Sequence, residues 1–234
     1  KRLSLEAARA NAHKIDWSKT RPTKPAFIGL KSFSDYSLKE LADYIDWTPF
    51  FSAWELAGKF PRILDDAVVG EQAQKLYADA QQMLKRIVDE RWLGANAVIG
   101  LFPANRDGDD TVVWTDETRT VERARLHHLR QQTVRPDGKP NQSLADYVAP
   151  TGTPDWIGAF ACTAGIGIDA HVARFEADHD DYSAILLKAL ADRLAEAFAE
   201  RLHERVRTEW WGYAAGEALD NQQRIDEAYR GIRP

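Results

Sequence analysis

The chain contains very little cysteine, methionine and histidine for its length. Its 234 residues include one cysteine, one methionine and six histidines. Cys162 alone excludes an internal disulfide framework and a multi-cysteine metal site, so a reducing compartment is favoured and we expect a cytoplasmic protein. Adjacent His127 and His128 cannot point the same way on a helix or strand, and no His-Glu-x-x-His motif occurs, so we predict no metal site.

Long apolar runs, positive charge and a nucleophile motif are also missing. No stretch approaches the run of about 18 apolar residues that a membrane span needs, and the first residues lack the apolar core of a signal peptide. The net charge of -5 argues against the basic surface that nucleic acid requires. No serine stands in a Gly-x-Ser-x-Gly turn, and we predict no catalytic residue. Neither a membrane nor nucleic acid is therefore an expected partner.

Aromatic residues are plentiful, and the first hundred residues predict helices. Eight Trp, seven Tyr and nine Phe favour mixed α and β structure over a purely helical bundle. A short helix is possible near the N-terminus, Asp16 to Pro25 is typical of an extended linker, and the fold proper is expected to start near Phe27. The Ser37 and Glu40 spacing predicts a helix that stops by Pro49.

A long amphipathic helix is predicted from near Glu71 to Gly94, because apolar residues recur at steps of three and four. The runs 97–102 and 111–114 favour strands, and the turn-rich residues 105–110 between them suit a β-hairpin.

The second half of the chain predicts a third strand and a further long helix. Residues 156–162 favour a strand, and we interpret Gly165-Ile166-Gly167 as a flexible turn rather than a dinucleotide fingerprint, because no βαβ context surrounds it. An apolar stripe from Leu187 to Val206 predicts about five helical turns. The order of elements predicts a single α+β domain with an antiparallel β-sheet flanked by long amphipathic helices.

Asp46 is the first candidate for a functional residue. It follows a predicted helix and is set beside Trp47, Phe50 and Phe51, a pattern that could recognise an amine or a sulfonium while the rings pack on an adenine. The alternative is that Asp46 only ends the helix or caps the next turn, which is common for aspartate.

Four acidic residues form one ridge of the long C-terminal helix, opposite its apolar stripe. A solvated face relieved by i, i+3 contacts to Arg193, Arg201 and Arg207 explains such a ridge. The alternative is that part of it meets a cationic ligand or another domain. The acids are Asp192, Glu196, Glu200 and Glu204.

A basic stretch follows the predicted hairpin and includes Arg119, Arg123, Arg125 and Arg130. Arginines of this kind usually form surface or interdomain ion pairs, and phosphate binding is the less favoured alternative. From the residues alone, the chain is an α+β domain that could bind a small cationic or aromatic ligand, and no reaction follows.

Several ordered motifs resemble one protein family. The sequence 44–51 (YIDWTPFF) resembles the activation domain of cobalamin-dependent methionine synthase, and further matches follow in order over roughly residues 26–234. They are 100–106 (GLFPANR), 116–119 (DETR), 128–133 (HLRQQT), 144–150 (LADYVAP), 158–160 (GAF), 188–200, 203–207 (HERVR), 211–213 (WGY) and 231–234 (GIRP).

The resemblance implies a supporting reaction. In this family a methyl group moves from methyltetrahydrofolate to homocysteine through a cobalamin carried on another domain, and the homocysteine domain holds zinc. When the cobalamin oxidises to inactive cob(II)alamin, the activation domain binds S-adenosylmethionine. One electron from flavodoxin or a flavoprotein reductase, with the methyl of S-adenosylmethionine, then regenerates methylcobalamin.

The same resemblance implies the domain limits and the site. Residues 1–25 are expected to link to a preceding cobalamin-binding domain, and 26–234 to form the activation domain. Asp46 corresponds to the aspartate that holds the ligand's amino group, Arg233 to the arginine that contacts its carboxylate, and Glu196 to a glutamate near its polar end. Asp192 is a candidate contact with the cobalamin domain.

The chain stops before the Gly and Tyr of the family's Arg-x-x-x-Gly-Tyr motif. We therefore expect residues 1–234 alone to bind S-adenosylmethionine weakly if at all, and not to turn over. The alternative function is an interdomain docking module for the cobalamin domain and flavodoxin, without a ligand site of its own.

Overall fold

The computed structural model describes residues 1–136 and 138–231, which form an α+β fold with an antiparallel sheet, as the sequence predicts. Five strands make the sheet in the order β1-β2-β3-β4, and β5 pairs with β2. The elements in chain order are α1 (Leu5–Ala10), β1 (Gly29–Phe33), α2 (Leu38–Ala42), α3 (Trp47–Ala53), α4 (Gly70–Asp89), β2 (Gly94–Asp107), β3 (Asp110–Trp114), β4 (Glu122–His127), β5 (Asp155–Ile166), α5 (Ile168–Ala177), α6 (Asp181–Arg205) and α7 (Asn221–Ile225). Short 3-10 helices cover Arg62–Asp65 and Leu144–Tyr147, and a π-helical turn covers Val206–Trp210.

The chain divides into two compact units. The first comprises Lys1–Leu30, Ile99–Ala159 and Glu209–Tyr213, and the second comprises Lys31–Val98, Phe160–Thr208 and residues 214–231. In the part of the chain that the structure describes, no helix has the length and low polarity that a membrane crossing requires.

Helix α6 organises the core of the second unit. Asp180 caps its start by accepting a hydrogen bond from the Ser183 N–H at 3.0 Å. Nine of its residues are buried on one side, and α2, α3, α4 and α5 pack against it. The apolar stripe therefore predicts this helix and its inward face correctly, because spacing of three and four keeps side chains on one face.

Helix α4 is also confirmed, although its end differs from the prediction. It begins at Gly70, one residue before the expected position, but stops at Asp89 rather than at Gly94. Arg91 takes a φ of 52° in the left-handed region and turns the chain, and Gly94 instead begins β2. A left-handed residue ends a helix because its backbone cannot continue the right-handed ladder.

The prediction of a helix that begins after Ser37 and stops by Pro49 is confirmed, with Ser37 as the N-cap that accepts from the Glu40 N–H, although the helix is short. Helix α2 ends at Ala42, and Pro49 is the third residue of a separate helix, α3. A proline is tolerated there because the first-turn N–H groups have no partner within the helix.

The hairpin between β2 and β3 is tighter than predicted. The strands pair antiparallel up to Asp107 and Asp110, so Gly108 and Asp109 alone make the turn, with Gly108 at a φ of 63°. Asn105, expected in the loop, is a buried strand residue whose amide donates to the carbonyls of Ala149, Pro150 and Thr153. These bonds explain why a polar residue continues the strand.

Gly165 and Ile166 end strand β5, and the prediction of a flexible turn over these residues is wrong. The turn is confined to Gly167, whose φ of 93° joins β5 to α5. Glycine suits this position because it adopts positive φ without a Cβ clash.

The first unit contains a cluster of buried charges. The Arg130 side chain is 2% exposed and donates to both carboxylate oxygens of Asp146, at 2.7 and 2.9 Å, and to Asp109 at 2.6 Å. Arg119 donates to the carbonyls of Ala104 and Asp155. The prediction of surface or interdomain ion pairs is therefore wrong for Arg130, whose guanidinium is enclosed by partners from its own unit.

The N-terminal residues are part of the first unit. Ser4 caps α1 by accepting from the Ala7 N–H, and the Leu3 N–H donates to the Gln132 carbonyl at 2.8 Å. The role of residues 1–25 as a link to a cobalamin domain remains a prediction.

Candidate functional site

Asp46 occupies the N-cap of α3. Its Oδ1 accepts a hydrogen bond from the Thr48 N–H at 3.0 Å, and the side chain is half-buried. An aspartate is favoured here because its carboxylate satisfies an N–H that has no helical partner. The capping alternative is thus correct as a description of the local structure.

The aromatic residues that follow Asp46 belong to the core. Trp47, Phe50 and Phe51 are each no more than 7% exposed. Trp47 meets Phe50 and Tyr77 edge to face, with ring centroids 5.3 and 5.0 Å apart. These rings stabilise α3 against α4, and they are not available to stack on an adenine as the sequence pattern suggested.

Glu196 and Asp192 lie on α6 and are exposed. Asp192 pairs with the neighbouring Arg193 at 2.6 Å. Burial raises the pKa of the Cys162 thiol, and the negative charge of nearby Glu196 raises it further. This half of the acidic ridge is therefore open to a ligand or a partner.

Glu204, at the C-terminal end of the ridge, is enclosed by partners. Glu204 is 16% exposed and accepts from Arg201 at 2.9 Å and from the Tyr44 hydroxyl at 2.5 Å. Burial, and next the hydrogen bond to Glu204, raise the pKa of Tyr44 to about 12. Two guanidinium groups lie near the Tyr44 ring, Arg224 at 4.2 Å and Arg201 at 5.4 Å from its centroid. The i, i+3 prediction holds for Arg201.

Arg207 contradicts the i, i+3 prediction. Its side chain is completely buried and binds Glu217, ten residues later, through Nη2 at 2.6 Å and Nε at 2.9 Å. Its Nη1 also contacts His203 Nδ1 at 2.6 Å, and its guanidinium lies 4.0 Å from the Tyr229 ring centroid. The π-helical turn at Val206–Trp210 follows α6 here, so ideal helical spacing does not predict which residue Arg207 reaches.

Residues 214–231, here called the C-terminal segment, return to the start of α3. Asn221 Nδ2 donates to the Ile45 carbonyl at 3.3 Å, and Arg224 contacts both Tyr44 and Glu204. The segment thus reaches the residue immediately before Asp46.

The predicted site residues therefore fall into two groups. Asp46, Glu196 and Asp192 belong to the second unit, on α3 and α6. Arg233 lies outside the described residues. Sequence reasoning did not single out Tyr44 or Arg224. The closeness of Tyr44 to Asp46 in the chain was an available signal for Tyr44, and no sequence pattern marked Arg224.

A shallow groove of about 400 Å³ lies in the same unit and includes Cys162 in its wall. Its other lining residues come from β1, from the residue after it, and from β2 and β5: Ser32, Phe33, Ser34, Asn96, Ala97, Val98, Ala161 and Thr163.

Comparison with known proteins gives two findings. The family model described as vitamin B12 dependent methionine synthase, activation domain, matches residues 37–234. A crystal structure described as the MetH reactivation domain bound to AdoHcy is 53% identical in sequence and has a TM-score of 0.96. That similarity covers 100% of this chain and 72% of the other.

Proposed function

Because this chain belongs to the activation-domain family of vitamin B12-dependent methionine synthase, we propose that it binds S-adenosylmethionine and supports the reductive remethylation of inactive cob(II)alamin carried on another domain. One observation carries the proposal: the similar crystal structure is bound to AdoHcy. AdoHcy is what remains of S-adenosylmethionine after its methyl group has been transferred. At 53% identity over the whole of this chain, the same ligand chemistry is expected here.

The proposed reaction balances with one electron and one methyl group. A flavodoxin or flavoprotein reductase supplies the electron to the cob(II)alamin substrate. The methyl leaves S-adenosylmethionine as a cation, the electron pair of the broken C–S bond stays on sulfur, and the products are methylcobalamin and AdoHcy. Cobalamin supplies the nucleophile, and the residues of this chain bind and orient the methyl donor.

Each proposed site residue has a chemical role. Asp46 accepts hydrogen bonds from the ligand ammonium group, while its Oδ1 stays bonded to Thr48. Arg233 pairs with the ligand carboxylate, and Glu196 lies near the polar end of the ligand. Asp192, exposed on α6 one turn before Glu196, contacts the cobalamin domain.

The test compares two aspartates that cap helices in the same way. Asp46→Asn keeps a capping oxygen but removes the charge that holds the ammonium group, and Asp180→Asn makes the same change at the start of α6. Calorimetry with S-adenosylmethionine is done on the natural protein at full length. A charged hydrogen bond of about 1.5–3 kcal/mol predicts about a tenfold to hundredfold loss of affinity for Asp46→Asn. Asp180→Asn should leave affinity unchanged, and equal effects of the two variants would contradict the role of Asp46.

A docking module without its own ligand site is the second candidate. The exposed acids Asp192 and Glu196 favour it, since they offer a charged face to a partner. It predicts that Asp46→Asn leaves ligand affinity unchanged while Asp192→Asn weakens association with the cobalamin domain.

A chain of residues 1–234 gives a further test of where the site ends. We expect residues 1–234 alone to bind S-adenosylmethionine weakly if at all, because the family's Gly-Tyr pair would follow Pro234. Micromolar binding by this chain in calorimetry would contradict that expectation.

A further inference from the structure

Two parts of the proposed ligand site meet directly at Tyr44 and Arg224. Tyr44 precedes Asp46 by two residues, and Arg224 belongs to the C-terminal segment that leads to Arg233. The Arg224 guanidinium carbon lies 4.2 Å from the centroid of the Tyr44 ring. At that distance a guanidinium is attracted by the negative face of the ring. The contact therefore joins the loop that carries Asp46 to the C-terminal segment.

Both side chains are held in place by further bonds. The Tyr44 hydroxyl donates to Glu204 on α6, which fixes the ring. Arg224 Nη1 donates to the Leu219 carbonyl at 2.7 Å and lies 3.6 Å from Glu204. Its Nε is buried and has no hydrogen-bond partner among the described residues. The guanidinium is thus committed partly to the Tyr44 ring rather than to hydrogen bonds.

A second anchor limits the motion of the segment. Tyr229 contacts Arg207 at 4.0 Å, and Asn221 donates to Ile45. The segment is therefore attached on both sides of Arg224, by Asn221 before it and by Tyr229 after it. Of these contacts, the Tyr44 ring and the Ile45 carbonyl are the ones next to Asp46.

We propose that Tyr44 and Arg224 are positioning residues for S-adenosylmethionine, and that their contact holds the loop that carries the Asp46 carboxylate against residues 214–231 of the C-terminal segment. This inference rests on the proposed function. A ligand whose ammonium and carboxylate groups bind on two separate pieces of chain loses affinity when those pieces move independently, because it must order them itself. Neither residue needs to touch the ligand for this effect.

The experiment separates positioning from a general loss of structure. Arg224→Lys keeps the positive charge and removes the planar group, and Tyr44→Leu removes the ring. Tyr44→Phe keeps the ring and removes only the hydroxyl. Arg174→Lys is the matched control, since Arg174 lies 4.8 Å from the Trp92 ring centroid in the same unit. Each variant is made in the natural protein at full length, and its stability is measured in urea.

Two ligands are titrated by calorimetry, S-adenosylmethionine and 5′-methylthioadenosine, which lacks the amine and the carboxylate. Loss of a contact of this strength predicts that Arg224→Lys and Tyr44→Leu bind S-adenosylmethionine about tenfold more weakly. Their affinity for 5′-methylthioadenosine should not change. Tyr44→Phe, which keeps the ring, should lose less affinity for S-adenosylmethionine than Tyr44→Leu, and Arg174→Lys should bind both ligands as the wild type does.

The outcomes distinguish this inference from the proposed function. If the wild type does not bind S-adenosylmethionine, the proposed function is wrong, and the inference falls with it. If the wild type binds and Arg224→Lys binds equally well, only the inference is wrong. Weakening of both ligands to the same degree would show a merely structural role and would also overturn it. Tyr44→Leu decides the question if Arg224→Lys does not fold.

Discussion

The stability of the second unit should depend on pH through His203. Burial, and next the charge of Arg207, lower the pKa of His203 to about 4 from 6.5. The ring Nδ1 lies 2.6 Å from Arg207 Nη1, so a neutral imidazole accepts this bond whereas an imidazolium would face a cation. The negative charge of Glu217 acts in the opposite direction and raises the pKa of His203. The rings of His203 and Tyr229 pack edge to face, with centroids 5.2 Å apart.

The direction of this pH dependence follows from the number of protons that the folded and unfolded chains bind. Because the folded pKa lies below the unfolded one, the unfolded chain binds more protons between pH 4 and pH 6.5, and stability rises with pH across that window. A pH of 5 lies 1.5 units below the ordinary pKa of an unfolded histidine. Through this group the free energy of unfolding at pH 5 is therefore about 2 kcal/mol lower than at pH 7.5. Because His203 is partly exposed to solvent, we expect the free energy of unfolding of the wild type to fall by about 1–2 kcal/mol through this group between pH 7.5 and pH 5.

The assay is urea unfolding followed by fluorescence at pH 7.5 and pH 5. His203→Gln keeps a side-chain acceptor for Arg207 but does not titrate. Its loss of unfolding free energy between pH 7.5 and pH 5 should therefore be about 1–2 kcal/mol smaller than that of the wild type. His127→Gln is the control, since that side chain is 76% exposed on β4, and it should lose as much as wild type. If wild type and His203→Gln lose the same stability between the two pH values, the reasoning about His203 is refuted.

Two further predictions concern the first unit. Arg130→Met leaves the Asp146 carboxylate buried without its bidentate partner, so unfolding measurements should show a loss of about 3–5 kcal/mol, and a loss below 1 kcal/mol would contradict this account of the cluster. Gly158→Ala places a Cβ 2.8 Å from Leu101 Cδ2, and overpacking of this kind predicts a loss of about 1–3 kcal/mol in urea, whereas Gly216→Ala, with open space at the Cβ position, should be nearly neutral.

The sequence predicted the elements whose pattern is periodic. The stripe on α6 and the spacing along α4 each commit many residues to one face, so both helices were predicted correctly. Strand β4 was missed because nearly all of its side chains are exposed, and no alternation marks it. Family motifs identified the family correctly, since several matches in order carry more information than any one spacing.

The contacts around the candidate site could not be predicted in the same way. Arg207 finds Glu217 across a π-helical turn, and Asn221 reaches Ile45 from 176 positions away in the chain. Such pairs depend on how the chain returns to α6, which local periodicity does not determine. For Asp46, by contrast, local chemistry sufficed to raise the capping role, although the partner Thr48 required the structure.

The cap that Asp46 forms has a consequence for the entropy of binding. Its hydrogen bond to Thr48 already restricts the rotamer of the carboxylate before any ligand arrives. An unrestrained, exposed side chain loses about 0.5–1.5 kcal/mol of rotational freedom when a ligand immobilises it. Folding of α3 has already restricted the Asp46 side chain, so the ammonium group of the proposed ligand would keep more of its interaction energy as affinity.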